Sequence, residues 1–176
     1  MQNSLQTYTQ KYDENNYGLL YPDSHVIRFY ERILKYGGGD CKIIEPNSSI
    51  KGLFDEKMDI VFANQSLYYI PKTELKQNIL EFYECLNQGG ILFATMMSEK
   101  NYYFSHSEKE NENGLRKVSI QGRLNETTYI HFAKSIDELQ ELFKPFEALF
   151  LGDYDPINFY NFEGSAHHFI YIGIKR

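Results

Sequence analysis

The stretch MDIVFANQSLYYIPKTELKQNILEFYECLNQGGILFATMM, residues 58–97, decides the fold. Its first run, MDIVFAN at 58–64, is short and nearly continuous in apolar residues, and its last run, ILFATMM at 91–97, has the same character. Such runs are typical of strands that are covered on both faces of a parallel sheet. We therefore predict a buried strand at each end of this stretch.

The residues between these two runs carry the spacing of an amphipathic helix. From Glu74 onwards the apolar residues recur at intervals of four, three and four. They are Leu75, Ile79, Phe82 and Leu86. Thr73 is a suitable cap for the start, and the pair Gly89-Gly90 is typical of a helix end. Strand, helix and strand in this order predict a βαβ crossover, and hence an α/β fold with a mostly parallel sheet and helices on both faces.

The chain before this stretch predicts one more helix and one more strand. A run with helical spacing begins after Asp23 or Ser24, either of which can cap it, and ends near Tyr36. The run CKIIE at 41–45 is short and β-branched. It predicts another buried strand.

The chain after this stretch predicts a loop, a helix and three strands. Residues 98–125 are polar and charge-rich, which is typical of a loop or flap. Ser135 and Glu138 have the spacing of a capping box for a helix that Pro145 ends. Strands are predicted at 127–133, 148–154 and 167–175. The last two are expected to form an antiparallel pair.

Composition restricts the class of protein. A chain of 176 residues with 42% hydrophobic content can bury one core, so we expect a single domain over 1–176. The net charge of −6 argues against a nucleic-acid partner, because phosphate binding requires clustered Lys and Arg. No apolar run has the length of a membrane span or of a signal peptide, so we expect a cytoplasmic protein. The two cysteines, Cys41 and Cys85, fit reduced thiols and lack metal-ligand spacing.

Several of these segments resemble one enzyme family. The stretch from Asp59 to Met96 resembles the central part of class I S-adenosylmethionine-dependent methyltransferases, and LNQGGILFAT is similar to that family's L-x-P-G-G turn into a strand. The segment YPDSHVIRFYERIL resembles the helix before the cofactor-binding strand of its small-molecule members. EALFLGDYDPINF with AHHFIYIGIKR resembles the hairpin that closes such sheets. The resemblance implies a Rossmann-like sheet, mostly parallel with a C-terminal antiparallel hairpin, and S-adenosyl-L-methionine as cofactor.

One departure from the family pattern concerns the methyl donor. The family holds the donor with a glycine-rich loop after the first strand and an acidic residue at the end of the second. Neither is visible here, because CKIIEP corresponds to the family's third strand. We expect a missing segment near 36–41, on the order of sixty residues at ~30 for each βα unit. Gly37, Gly38 and Gly39 fit a connector or a splice better than a cofactor cradle, because no strand precedes them.

The resemblance also implies which residues contact the donor. In the family, residues past the third strand approach the adenine, and residues past the fourth strand lie near the donor methionine. In this chain the corresponding positions are Asn47, Ser48, Asn64, Gln65 and Ser66, and Tyr21 corresponds to a tyrosine at the donor carboxylate. Asn47 with its neighbours also fits an ordinary turn, and Tyr21 also fits packing on the first helix. Asn64 is the best placed, since ligands of open α/β sheets collect at the carboxyl ends of strands.

The remaining candidates concern the acceptor. Methyl transfer is an in-line displacement, so the protein mainly aligns the reactants and requires a base only if the acceptor loses a proton. The candidates for catalysis are His131, Asp153 and His168. The candidates for acceptor binding are Tyr68, Tyr69 and His167. His167 and His168 should face opposite sides of a sheet, so at most one should contact the pocket, and a structural role is the commoner one for such histidines.

These observations leave more than one function open. The leading hypothesis is methyl transfer from S-adenosylmethionine to an oxygen or nitrogen of a small molecule, with 98–132 as part of the acceptor site and no metal. The second is a catalytically silent methyltransferase-like module that binds a partner protein. A nucleotide-dependent oxidoreductase is weaker, since no dinucleotide fingerprint is present. Fifteen Tyr and thirteen Phe suit core and interface packing, which leaves a homodimer open.

Overall fold

A computed structural model of the chain describes most of its C-terminal part and three short N-terminal pieces. The described residues are 24–29, 31, 43–44, 57–120, 126–156 and 166–176. The chain divides into two compact units, residues 1–40 and 41–176. The single-domain interpretation of 1–176 stays a prediction.

The described part of the first unit is one helix, α1, at Ser24–Phe29. It begins at a residue that the sequence offers as a cap, and it buries Phe29. The prediction of a helix is confirmed over these residues. The expected missing segment near 36–41 lies outside the described residues, as does most of the predicted second half of the helix.

The second unit contains eight strands and three α-helices in its described residues. In chain order they are β1 (Ile43–Ile44), β2 (Met58–Ala63), a 3₁₀ turn (Leu67–Tyr69), α2 (Lys72–Cys85), β3 (Leu86–Met97), α3 (Tyr102–Ser105), β4 (Ser107–Glu110), β5 (Arg116–Ile120), β6 (Glu126–Ile130), α4 (Ile136–Leu142), β7 (Glu147–Tyr154) and β8 (His168–Ile174). None of the helices in the described ranges has the length and apolar character needed to cross a bilayer.

The main sheet has five strands in the order β1-β2-β3-β8-β7. Strands β1, β2 and β3 are parallel neighbours, which confirms the βαβ crossover predicted for 58–97. Strand β8 lies between β3 and β7 and is antiparallel to both. The sheet is therefore mixed, with two parallel and two antiparallel pairings. This confirms the predicted C-terminal antiparallel hairpin but not a mostly parallel sheet. Strand β1 pairs directly with β2.

The boundaries of α2 differ from the prediction at both ends. Its N-cap is Pro71 rather than Thr73, and the Pro71 carbonyl accepts from the N–H groups of Glu74 and Leu75, each at 2.9 Å. The helix ends at Cys85, and the glycine pair lies inside β3. Gly89 has a φ of 78° and donates its N–H to the Lys175 carbonyl at 2.8 Å. The glycines thus form an irregularity in the sheet, where a positive φ suits glycine, and do not end the helix.

One face of the sheet packs against α2 and α4. Helix α2 buries an apolar stripe, and α4 adds Leu139. The strands contribute alternating residues to the same cluster: Val61, Ala63, Leu92, Ala94, Met96, Phe169 and Tyr171. Truncation of a fully buried member such as Phe82 to Ala costs about 3–5 kcal/mol of stability. On the alternate positions, Phe62 and Phe93 stack at 4.7 Å between ring centroids. Helices on this second face stay a prediction.

The segment after β3 is more ordered than the sequence suggests. Strands β4 and β5 lie where a polar loop was expected over 98–125, and they form an antiparallel sheet with β6, which confirms a strand within the predicted range 127–133. Strand β5 buries Val118 and Ile120, although it has only these two apolar residues among five. The neighbouring capping prediction is confirmed, because the Ser135 hydroxyl accepts from the Glu138 N–H at 3.2 Å.

Candidate active site at the carboxyl ends of the parallel strands

Four strand ends meet at one edge of the main sheet. Strands β2 and β3 end there at Ala63 and Met97. Because β8 is antiparallel to β3, its first residue, His168, pairs with Met97. Tyr154, the last residue of β7, pairs in turn with His168. In open α/β sheets, ligands bind outside the carboxyl ends of the parallel strands, so this edge is the candidate site.

A polar turn follows β2 at this edge. Gln65 has a φ of 52°, in the left-handed region that few non-glycine residues adopt. Its N–H donates to the hydroxyl of Thr95 at 2.7 Å, and the same hydroxyl lies 3.5 Å from Oδ1 of Asn64. The Ser66 hydroxyl is buried and has no hydrogen-bond partner within the described ranges. The turn 64–66 thus places the side-chain amides of Asn64 and Gln65 and the hydroxyl of Ser66 at the end of β2.

Aromatic rings lie beside this turn. The ring of His168 stacks on Tyr154 with centroids 5.3 Å apart and lies 5.7 Å from the ring of Tyr68. Tyr68 in turn contacts Tyr69 at 4.6 Å. The Tyr154 hydroxyl accepts from Nε2 of Gln65 at 3.4 Å, a long contact. This group connects the 3₁₀ turn after β2 to the ends of β7 and β8.

Tyr68 remains protonated at neutral pH. Burial, followed by the neighbouring hydroxyl of Tyr69, raises the pKa of Tyr68 well above its usual value. Only 2% of Tyr68 is exposed. Its hydroxyl therefore provides a hydrogen bond rather than a base.

A second polar group lies on the other side of the same edge. Ser98, the first residue after β3, has its hydroxyl 2.7 Å from Nδ1 of His167 and accepts from the Lys100 N–H at 3.0 Å. Nε2 of His167 lies 3.7 Å from Oδ2 of Asp153. If the serine donates to Nδ1, the remaining proton of a neutral imidazole sits on Nε2 and points at the carboxylate. Ser98 and His167 are buried, whereas the Asp153 side chain is about half exposed, at 49%.

His131 belongs to a third group, next to α4. The backbone N–H of His131 donates to the Tyr68 carbonyl at 2.8 Å. Neither ring nitrogen has a hydrogen-bond partner in the described part of the chain, and Nε2 lies 3.8 Å from the Glu138 carboxylate, which pairs with Lys72 at 2.9 Å. Burial lowers the pKa of His131, and Glu138 only partly opposes this. A neutral, enclosed imidazole at this position fits a structural role better than direct contact with an acceptor.

The structure brings together most, but not all, of the residues singled out from the sequence. The candidates that converge on the edge are Asn64, Gln65, Ser66, Tyr68, Tyr69, Asp153, His167 and His168. Their roles stay predictions. Tyr21, Asn47 and Ser48 lie outside the described residues. As predicted, His167 and His168 point to opposite sides, since His167 contacts Phe169 of the core cluster and His168 contacts Tyr154.

Three residues at the edge escaped the sequence interpretation. Thr95 interrupts the apolar run of β3, and a polar residue near the end of a buried strand is a usable signal. Tyr154 and Ser98 carry no comparable signal, because their positions depend on the pairing of β7 and β8 and on the bridge from Ser98 to Ala133. Among the described residues, no three His, Cys, Asp or Glu side chains are grouped to hold a metal ion.

Comparison with solved structures identifies the fold. An open α/β sheet with a polar turn at the carboxyl ends of its parallel strands is the arrangement of Rossmann-like folds. The chain is similar to a methyltransferase from Methanosarcina mazei, with 18% identity, a TM-score of 0.52, and coverage of 69% of this chain and 62% of that protein. A putative S-adenosylmethionine-dependent methyltransferase from Listeria monocytogenes has 13% identity, a TM-score of 0.52 and coverages of 83% and 76%. One from Clostridium acetobutylicum has 12% identity, a TM-score of 0.50 and coverages of 88% and 72%.

These similarities identify the fold. The chain has the fold of the class I S-adenosylmethionine-dependent methyltransferases. It spans about three fifths of the Methanosarcina protein, 62% of its length. No protein-family profile matches the sequence, and no curated protein matches it.

Proposed function

We propose that this protein transfers a methyl group from S-adenosyl-L-methionine to an oxygen or nitrogen atom of a small molecule. One observation carries the proposal: in a sheet of methyltransferase fold, the polar turn 64–66 lies at the carboxyl end of β2. This is where open α/β sheets bind their ligands. The net charge of −6 supports a small acceptor rather than a nucleic acid.

The described residues fit part of the donor. The buried Ser66 hydroxyl has no partner in the described ranges, so a donor group placed beside it would supply its missing hydrogen bond. The faces of tyrosine rings attract cations, and Tyr68 and Tyr69 lie beside the turn. When bound, the donor supplies an electrophilic methyl group on a sulfonium. Asn64, Gln65 and Ser66 would hold it, and we propose contacts for Tyr21, Asn47 and Ser48 as the family resemblance implies.

The protein's own residues have two tasks in this reaction. The first is alignment: a rigid turn and enclosing rings fix the reactants and exclude water. The second is proton removal from an acceptor hydroxyl or amine. Asp153 is the best candidate base, because its carboxylate is half exposed at the edge while His167 lies behind it. We infer that His167, which is buried, acts on Asp153 rather than on the acceptor, and that residues 98–132 contribute to the acceptor site.

A catalytically silent binding module is the alternative. The observation in its favour is that the sequence contains no glycine-rich motif of the kind that holds the donor in this family. Such a module would retain the fold and bind a partner protein. It would not bind the donor.

Calorimetric titration of the purified chain with S-adenosylmethionine and with its demethylated product separates the two. We expect saturable binding of both by the wild type and about tenfold weaker binding by Asn64→Ala, a loss of about 1.4 kcal/mol. Asn87→Ala is the matched control, because Asn87 lies at the opposite end of β3 from the candidate site and its side-chain amide donates to Asp59 instead. It should bind like the wild type. Absence of heat with the folded wild type would overturn the proposal in favour of the silent module.

A further inference from the structure

Thr95 occupies an unusual position in β3. It is a polar residue in the apolar run ILFATMM, and its exposed fraction is 0%. Its neighbours Ala94 and Met96 both belong to the core cluster, so Thr95 points to the opposite side of the sheet. A buried hydroxyl requires partners, and those of Thr95 come from the turn after β2.

The two contacts of Thr95 use different capacities of one hydroxyl group. The oxygen accepts the Gln65 N–H at 2.7 Å, and the O–H donates toward Oδ1 of Asn64 at 3.5 Å. A hydroxyl has one proton and two lone pairs, so both contacts can exist at once. The first fixes the backbone of a residue whose φ is 52°, and the second turns the oxygen of the Asn64 amide toward β3.

The first contact has an energetic reason. A non-glycine residue in the left-handed region persists only when its surroundings hold it there. The 2.7 Å bond is short and joins positions 30 residues apart, so it ties the turn to a rigid central strand. Without the hydroxyl, the left-handed backbone of Gln65 would lose this constraint.

We propose that Thr95 is a positioning residue of the donor site: its hydroxyl holds the turn 64–66 in the left-handed conformation and orients the Asn64 amide for the donor. This inference rests on the proposed function, because it assigns the turn to donor binding. Thr95 itself is buried and acts through Asn64 and Gln65.

Two substitutions of Thr95 test the inference. Thr95→Val keeps the shape of the side chain and removes the hydroxyl, whereas Thr95→Ser keeps the hydroxyl. We expect Thr95→Val to weaken binding of the demethylated donor product about tenfold in calorimetry and Thr95→Ser to stay within about threefold of the wild type. Hydrogen exchange of the Gln65 amide, followed by NMR, should accelerate in the valine variant and not in the serine variant.

A third variant, Gln65→Gly, distinguishes a loss of positioning by Thr95 from a general loss of folding. Glycine adopts positive φ readily, so Gln65→Gly makes the turn less dependent on Thr95. Adding Thr95→Val to Gln65→Gly should therefore weaken binding by a smaller factor than adding it to the wild type. Equal factors in both backgrounds, or a valine variant that binds like the wild type, would overturn the inference while leaving donor binding intact. A folded wild type that gives no heat would overturn the proposed function and this inference together.

Discussion

The two sides of the sheet edge use polar residues in opposite ways. On the side of Thr95 and His168, the turn residue Asn64 is partly exposed and Gln65 is exposed. Both contact the buried hydroxyl of Thr95. On the side of His167, the buried groups are bonded to one another, and only Asp153 reaches solvent. In the proposed function, the first side is the binding surface and the second provides a supported carboxylate. The adjacent histidines would then have unrelated roles.

The largest effect should follow removal of the carboxylate. If Asp153 is the base, Asp153→Asn lowers the rate of methyl transfer by a factor on the order of 10² or more and leaves donor affinity unchanged. The measurement is formation of the demethylated product with a panel of small hydroxyl and amine compounds. Asp137→Asn, on the exposed first turn of α4, is the control and should match the wild type. An Asp153→Asn variant of full activity would exclude a base at this position.

Exchanging the two histidines for alanine sharpens the comparison further. His167→Ala leaves the buried Ser98 hydroxyl short of a partner, so it should reduce the free energy of unfolding by about 1–3 kcal/mol. His168→Ala removes ring contacts with Tyr154 and Tyr68 and the 2.6 Å contact of Nδ1 with the Ala166 carbonyl, which water can replace because Ala166 is only half-buried. It should therefore cost less, about 0.5–1.5 kcal/mol for the lost stacking. Denaturant unfolding measures both. The reverse order would show that the two sides have been assigned wrongly.

His131 should make stability depend on pH. Its folded pKa is lowered, mainly by burial, so the unfolded chain binds a proton more readily than the folded chain. Stability is therefore complete above the ordinary histidine pKa of about 6.5 and falls as the pH drops below it, by no more than about 1.4 kcal/mol per pH unit. Unfolding at a series of pH values should show this slope in the wild type and a reduced slope in His131→Gln. An unchanged slope would assign the effect to another group.

The smallest effect is expected at Tyr154. Tyr154→Phe keeps the ring on His168 and removes the hydroxyl that makes the long, exposed contact with Gln65. Donor affinity should change by less than about fivefold, since such a bond contributes under about 1 kcal/mol. Tyr154→Ala also removes the stacked ring and should have a larger effect. If the phenylalanine variant loses as much affinity as the alanine variant, the hydroxyl matters more than the ring.

The sequence predicts the centre of the fold because long apolar runs and a helical repeat coincide at 58–97. It predicts β6 but neither β4 nor β5, since β5 shows only Val118 and Ile120 as apolar residues and its pairing is not encoded locally. The position of β8 beside β3 is likewise a matter of long-range pairing. At the site, the alternation of side chains along a strand is enough to predict that His167 and His168 face opposite sides. The role of Thr95 is not predicted, because its partner Gln65 lies 30 residues away.

The central claim is that the donor binds at the carboxyl end of β2. The most direct test is to add the demethylated donor product to the ¹⁵N-labelled protein and record the backbone amide shifts. The largest changes should occur at Asn64, Gln65, Ser66 and Thr95. Asn87, which lies at the opposite end of β3 from Thr95, should change little. A folded protein that shows no shifts on addition, or shifts confined to β4, β5 and β6, would contradict the claim.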